Sequence, residues 1–241
     1  MVHCLKLHDQ TLKLKIMKRT ITLSTLLIGV LFFASCKREE SINIDQDRIY
    51  SNYAYTYDAN SNQTKITATF RLDNNGGKKL KLSYPAKVDF NGENLSWSGA
   101  LGGYTLSRSG SQLGGTFKYT DLNENVYTNA VNQVYPIEIP FGVNVISRDG
   151  NFFLPWEGDP IHSGETVRLT IRGVNGSKSW TETSVGASHI ILDANRLQQL
   201  EAGNATIQIE RERSESLTQT NYSGGRISTV YESRKINIQI N

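Results

Sequence analysis

The sequence predicts an all-β protein: two antiparallel β-sandwiches with one short helix over 193–202. Three observations predict it. Beyond residue 48, apolar residues recur with a period of two, and no amphipathic helical pattern of useful length appears. Turn-forming clusters of Asp, Asn and Gly separate the alternating runs. Pro136 and Pro140 break the chain near its middle, because proline cannot donate to a strand ladder. The stretches 49–140 and 141–241 are each roughly 90 to 100 residues long, the size of one sandwich, and the alternative is one large sandwich through both halves.

The elements follow in order. Tyr53, Tyr55 and Tyr57 share one face of a first strand. Ile66, Ala68, Phe70 and Leu72 alternate with Thr67, Thr69 and Arg71, and the run stops at Asp73-Asn74-Asn75-Gly76-Gly77. Leu80 and Leu82 alternate with lysines, and Val88-Asp89-Phe90 meets an Asn91-Gly92 hairpin turn. Strands are expected at 104–108, 116–120 and 126–134, and residues 134–140 read as an edge strand ending in a linker. In the second half Val167, Leu169 and Ile171 alternate with Arg168, Thr170 and Arg172 before Asn175-Gly176 turns the chain. Short strands at 179–183 and 189–192 follow, then Ala205, Ile207 and Ile209, and finally Ile236, Ile238 and Ile240.

One helical turn belongs between the strands at 189–192 and 205–213. Asp193 can cap it, Leu197 and Leu200 can face the core, and Gly203 can end it. A helical turn in that place resembles the connection between the fifth and sixth strands of immunoglobulin-like domains. The resemblance implies an immunoglobulin-like fold for the sandwiches and no activity.

Bulk composition removes several classes. With 38% hydrophobic and 20% charged residues, the chain is too apolar for disorder and too polar for a multi-span membrane protein. The net charge of +3 belongs mainly to the first 36 residues, which hold Lys6, Lys13, Lys15, Lys18 and Arg19 against Asp9. Setting those aside leaves 21 basic against 22 acidic residues, so nothing points to nucleic acid, which needs a clustered basic surface. The only cysteines are Cys4 and Cys36, so the body has neither a disulfide nor a thiolate metal site.

The leader carries the most specific signal. Met17-Lys18-Arg19 is a positive start, and Ile21 to Ala34 is an apolar run of 14 residues. Phe33-Ala34-Ser35-Cys36 places small residues before a cysteine, and Lys37-Arg38-Glu39-Glu40 ends the run. A spanning helix would need about 20 apolar residues. The segment resembles the lipobox of bacterial lipoproteins, with Phe33 where the commonest lipoboxes carry leucine. The resemblance implies cleavage between Ser35 and Cys36, diacylglycerol on the Cys36 sulfur, and an outer-membrane anchor. Residues 1–16 then read as an upstream extension before a start at Met17, 17–35 as signal peptide, and 36–48 as lipidated cysteine and tether. A basic residue followed by paired acids after that cysteine is similar to the surface-export signal of Bacteroidetes lipoproteins. A solvated tether facing the periplasm has the same composition.

Candidate chemistry in the body is sparse. His162 lies in the polar loop 157–165 and His189 in a strand, with no Gly-x-Ser-x-Gly motif. No catalytic residue is therefore expected, and His162 is expected to cap a turn before the strand at 167–172. The loops starting at Asp58 and Asp121 begin like calcium loops but lack the glycine and glutamate an EF-hand requires, so no metal or other cofactor is expected. Tyr53, Tyr55, Tyr57, Trp97, Trp156 and Trp180 are candidate ligand-binding aromatics, because ring faces can stack on sugars. Strand preference makes core packing the first expectation for them and ligand stacking the second.

The expected role is non-enzymatic binding or structural support by a membrane-anchored envelope lipoprotein. The mature part is similar in general style to β-sandwich lipoproteins of Bacteroidetes. The alternatives are a surface glycan-binding lipoprotein, an adhesin or pilus-type subunit that accepts a neighbour's strand, and a small hydrolase. The expected partners are the membrane, through Cys36, and a glycan or another envelope protein.

Overall fold

A computed structural model describes residues 39–112, 114–133 and 135–241. The signal segment, with Ser35 and Cys36, lies outside the described residues.

The first sandwich opens with a long hairpin. β1 (Ile49–Asp58) turns Ile49, Ser51, Tyr53 and Tyr55 inward, and β2 (Gln63–Leu72) answers with Thr64, Ile66, Ala68 and Phe70. Their register sets Tyr53 opposite Ala68 and Tyr55 opposite Ile66, so both inward rows meet on one face. β3 (Lys79–Lys81) extends this sheet beyond β2. β4 (Lys87–Phe90) ends at the expected Asn91-Gly92 turn, where both residues take positive φ (50° and 83°), the geometry a two-residue hairpin demands. β5 (Gly103–Ser109) returns to pair with β2. β6 (Thr116–Thr120) lies between β4 and β7 (Val126–Ala130), and these three, with Glu93–Asn94 beside β4, form the facing sheet.

The second sandwich packs a two-stranded pair and the larger sheet around one core. β8 (Phe152–Pro155) pairs only with β11 (His189–Leu192) among the described strands. β9 (Glu165–Gly173) and β10 (Gly176–Glu182) form a hairpin in the other sheet. The helix after β11, α1 (Ala194–Leu197), is capped by the Asp193 carboxylate, which accepts the Arg196 N–H at 3.0 Å. It is shorter than the expected 193–202 because three-residue bonds, Gln199 N to Arg196 O and Leu200 N to Leu197 O, tighten its last turn. Leu197 and Leu200 are buried in the second core, as their spacing predicts. β12 (Gly203–Ser216), β13 (Gly225–Glu232) and β14 (Ile236–Ile240) complete the chain.

β12 is 14 residues long and serves two partners. Its first part pairs with β14 and its last part with β13. Between them Gln208 and Ile209 face Ser233, Arg234 and Lys235, a bulge that re-aims the chain. Buried Ser233 fastens it, exchanging bonds with Ile209 through its own N–H (2.9 Å) and its Oγ (3.1 Å). β13 then runs parallel to β1 from Gly225 opposite Ser51 to Glu232 opposite Asp58. One sheet therefore passes through both sandwiches: it starts at Glu39–Glu40, paired in parallel with Leu80–Lys81 where a free tether was expected, and continues in the order β3-β2-β1-β13-β12-β9-β10. The two cores are filled out of chain order: Leu217 and Ile227 enter the first, alongside Tyr53 and Phe117. The ladder that joins the sandwiches is parallel, unlike the hairpins the sequence predicts, because no tight turn connects β1 to β13.

Candidate binding groove

The chain enters the second sandwich along Ile137–Glu138, which pairs with Glu157–Gly158, and then along Val145–Ile146, which pairs in parallel with β14. Between these pairings it leaves the sheet. Pro140 offers no N–H, and Val143 N closes a turn on Pro140 O at 3.4 Å, with Gly142 at φ 95°. The detour leaves Ile236–Ile238 with β12 on one side and, among the described residues, no strand on the other. The gap is a groove of about 490 Å³, with Ile139, Val143 and Ile236 on its walls and Glu138, Glu157 and Arg234 among its polar lining. Phe141, second residue of the turn, stands at its lip with its side chain fully exposed.

The polar groups are partly committed. Glu138 accepts the Tyr231 hydroxyl at 3.0 Å and the Arg234 N–H at 3.3 Å. Burial, and then the bond to Glu138, push the Tyr231 hydroxyl up to about 12, so it stays a neutral donor at neutral pH. A second concavity of about 470 Å³ adjoins the first through Asn237 and is lined by Arg172, Val174, Asn204 and Thr206.

The aromatics singled out in the sequence lie elsewhere. Tyr53 is buried and stacks on Phe117 at 4.5 Å, and Tyr55 is buried with its hydroxyl on Gln112 O at 2.7 Å. Trp156 and Trp180 are buried in the second core, their indole N–H groups on Asp159 O (3.1 Å) and the Asp193 carboxylate (2.9 Å). Ligand stacking is thus corrected at these four positions, because the period-two pattern turns the rings inward. Tyr57 is half-buried, bonded to Asn62 and 5.3 Å from the Tyr231 ring. Trp97, also half-buried, meets Tyr104 edge to face at 5.1 Å. None of the six lines the groove at Phe141. Sequence reasoning missed Phe141, although Pro140-Phe141-Gly142 held the signal: an aromatic between proline and glycine sits in a turn, with no strand face to pack in.

His162 sits in the turn before β9, its carbonyl accepting the Glu165 N–H at 3.2 Å and its Nδ1 3.3 Å from Glu165 Oε2. Glu165 and Arg211 form a fully buried ion pair at 3.3 Å, and Arg211 also donates to the carbonyls of Asp159 and Pro160. Burial lowers the Arg211 proton affinity, and Glu165 and Asp159 oppose it. The cluster fastens the 156–165 loop to β12. His189 stacks on Phe153 at 4.1 Å. The two Asx-rich loops are closed by their own bonds: Asp58 accepts from Asn60 and Ser61, and Asp121 from Asn123 and Asn125.

No family model matches the chain, and no curated protein matches it. Among solved structures it is similar to a tetra-tandem repeat in the extending region of a large adhesion protein. The identity is 14% over 79% of this chain and 49% of that one, with a TM-score of 0.27. It is also similar to the two tandem V-type regions of a v-region-containing chitin binding protein (9% identity, 76% of this chain, 99% of that one, TM-score 0.19). A third is a 1.5-MDa bacterial ice-binding adhesin (14% identity, 79% of this chain, 65% of that one, TM-score 0.21). The chain spans 49% of the first of these, and likenesses this distant carry no argument about fold or activity.

Proposed function

We propose that the chain is an envelope lipoprotein, anchored in the outer membrane through diacylglycerol on Cys36, that binds a partner without catalysis through the groove beside Phe141. The observation that carries the binding role is Phe141 itself: a fully exposed aromatic, held on a Pro-Phe-Gly turn at the lip of a groove of about 490 Å³. Rigid aromatics that stand out of a surface contribute contact area at low entropic cost when a partner arrives. The groove's Glu138 is held by Tyr231 and Arg234, which suits orientation of a ligand better than proton transfer. The anchor rests on the run from Met17 to Cys36, and Lys37-Arg38-Glu39-Glu40 favours display on the cell surface.

Anchoring is tested by expressing the full chain in a bacterium with an outer membrane and weighing the mature N-terminus. An acylated Cys36 is expected, and Cys36→Ser should accumulate uncleaved precursor because only the thiol accepts diacylglycerol. An unmodified N-terminus downstream of residue 36 would overturn the anchor.

A further inference from the structure

The groove has a feature that points to the kind of partner it takes: one of its walls is the bare edge of a strand. Gln239 donates its N–H to Asn144 O at 2.8 Å across the same edge. Backbone groups in a strand alternate sides from one residue to the next. The N–H and C=O of Asn237 therefore point the same way as those of Gln239, into the groove. On either side the edge is closed. Lys235 N is held by the Asn60 side chain at 2.7 Å, and Val145–Ile146 covers Gln239 and Ile240. What remains is a window three residues long, Ile236–Ile238, which accommodates about 10 Å of extended chain. The protein's own segment cannot fill it, because the Pro140–Val143 turn carries that segment away from the edge.

We infer that this window accepts a short extended segment of a protein partner, added as a strand along Ile236–Ile238. The inference deepens the binding role proposed above and rests on it. Main-chain bonds to Asn237 would hold the segment, and pockets for alternate side chains would select it. One row of side chains meets the apolar walls formed by Ile139, Val143 and Ile236, with Phe141 packing over the segment. The other charge in the lining is two carboxylates, Glu138 and Glu157, against one guanidinium, Arg234, so a segment with a basic residue is preferred over an acidic one. The Asn237 N–H and C=O are spaced and directed to match the C=O and N–H of an extended backbone, which favours a peptide over a glycan.

The test uses the full chain in detergent and a fluorescent capped pentapeptide, Val-Lys-Val-Lys-Val, with titration by anisotropy and hydrogen exchange across residues 236–239. Saturable binding with slowed exchange at 236–239 is expected. Phe141→Ala, which touches no core, should weaken binding at least tenfold. Asn237→Pro, which removes the groove-facing donor at an edge position that tolerates proline, should do the same with an unchanged melting temperature. A Val-Glu-Val-Glu-Val peptide, and the lysine peptide N-methylated on its backbone, should each bind at least tenfold more weakly. Equal binding by the N-methylated peptide, or by Asn237→Pro, would overturn strand addition. Slowed exchange at 236–239 with cellotriose or maltotriose but not with the peptide would overturn the peptide and leave a binding groove standing. No change with any of these probes would overturn the inference, while the lipid anchor is read from Cys36 and stands or falls separately.

Discussion

Arg211 is the largest fully buried side chain described, and its charge meets Glu165 at 3.3 Å inside the second sandwich. Arg211 sits on the inward face of β12, two residues beyond Ile209, where apolar alternation would call for another aliphatic residue. The arginine instead reaches the Asp159 and Pro160 carbonyls and ties the loop before β9 to the sheet. Taking two ions out of water costs about as much as their attraction returns, but removing one partner leaves the other buried and unpaired. Arg211→Met should therefore cost about 3–5 kcal/mol, a large share of the roughly 5–15 kcal/mol of a typical domain. Glu165 Oε1 and Arg211 Nε already lack a protein hydrogen-bond partner, so the double substitution Arg211→Met, Glu165→Leu should recover most of that loss. Urea unfolding of both variants measures this. If the double variant is as unstable as the single one, the carbonyl contacts, and not the ion pair, hold the loop.

At the scale of elements, the row across the shared sheet decides how its middle responds to pH. Arg168, Glu210, Glu232 and Asp58 are successive cross-strand neighbours on β9, β12, β13 and β1. Arg168 reaches Glu210 at 3.3 Å, but Glu232 lies between two acids. Burial raises the proton affinity of Glu210, with Glu212 adding to it and Arg168 opposing. Burial also raises that of Glu232, followed by Asp58 and Glu210. For Asp58 burial pushes upward too, but bonds from Asn60 and Ser61 and the nearby Lys235 hold it below the usual range. A carboxyl with a raised folded pKa binds its proton more readily folded than unfolded. The two glutamates therefore destabilise the charged protein at neutral pH, and stability rises as the pH falls through their folded pKa towards the ordinary glutamate value. Asp58 acts oppositely, losing its contribution once the pH falls through its own depressed pKa. Glu232→Gln should stabilise the protein at pH 7 by about 0.2–1 kcal/mol, the size of a cross-strand like-charge penalty, and flatten the mild-acid gain. Denaturant midpoints between pH 4.5 and 7.5 check this, and a destabilised Glu232→Gln would show that the row is held together by bonds, not strained by charge. The strands of this sheet were unevenly legible. β2, β9 and the first part of β12 announced themselves by alternating aliphatics. The strand was read as far as Arg213, but its last residues, 214–216, were not, because Arg211, Arg213 and Glu215 replace the aliphatics at its inward positions, and β13 was missed with them. Helix α1 was legible from Asp193, Leu197 and Leu200. Phe141 was not, since strand periodicity carries no information about a turn residue beside a distant strand edge.

At the scale of the whole molecule, β12 and β13 make the stability of the two sandwiches a joint property. β13 holds β1 over eight paired positions, from Gly225 opposite Ser51 to Glu232 opposite Asp58. The 217–221 connection adds side-chain clamps. Buried Asn129 accepts the N–H groups of Thr218 (2.9 Å) and Gln219 (3.0 Å), and Asn221 donates to the carbonyls of Gln46 and Ile49. Leu217 and Ile227 then pack in the first core while the same β12 carries Ile207 and Ile209 into the second. Unfolding the second sandwich would withdraw a strand and two core side chains from the first. Leu200 lies far from that joint in sequence, beneath α1, and is 2% exposed. Leu200→Ala should cost about 2–5 kcal/mol through lost transfer energy and the cavity left behind. Because β12 begins three residues later and runs unbroken into the first sandwich, the loss should be felt by both. Calorimetry should show one transition moved downward as a unit. Near-ultraviolet dichroism of the buried tyrosines of the first core and fluorescence of the tryptophans, two of which lie in the second, should give the same midpoint, the usual test of a two-state change. Two transitions, with only the later one moved by Leu200→Ala, would mean that β13 peels from β1 before either core melts and that each sandwich stands alone.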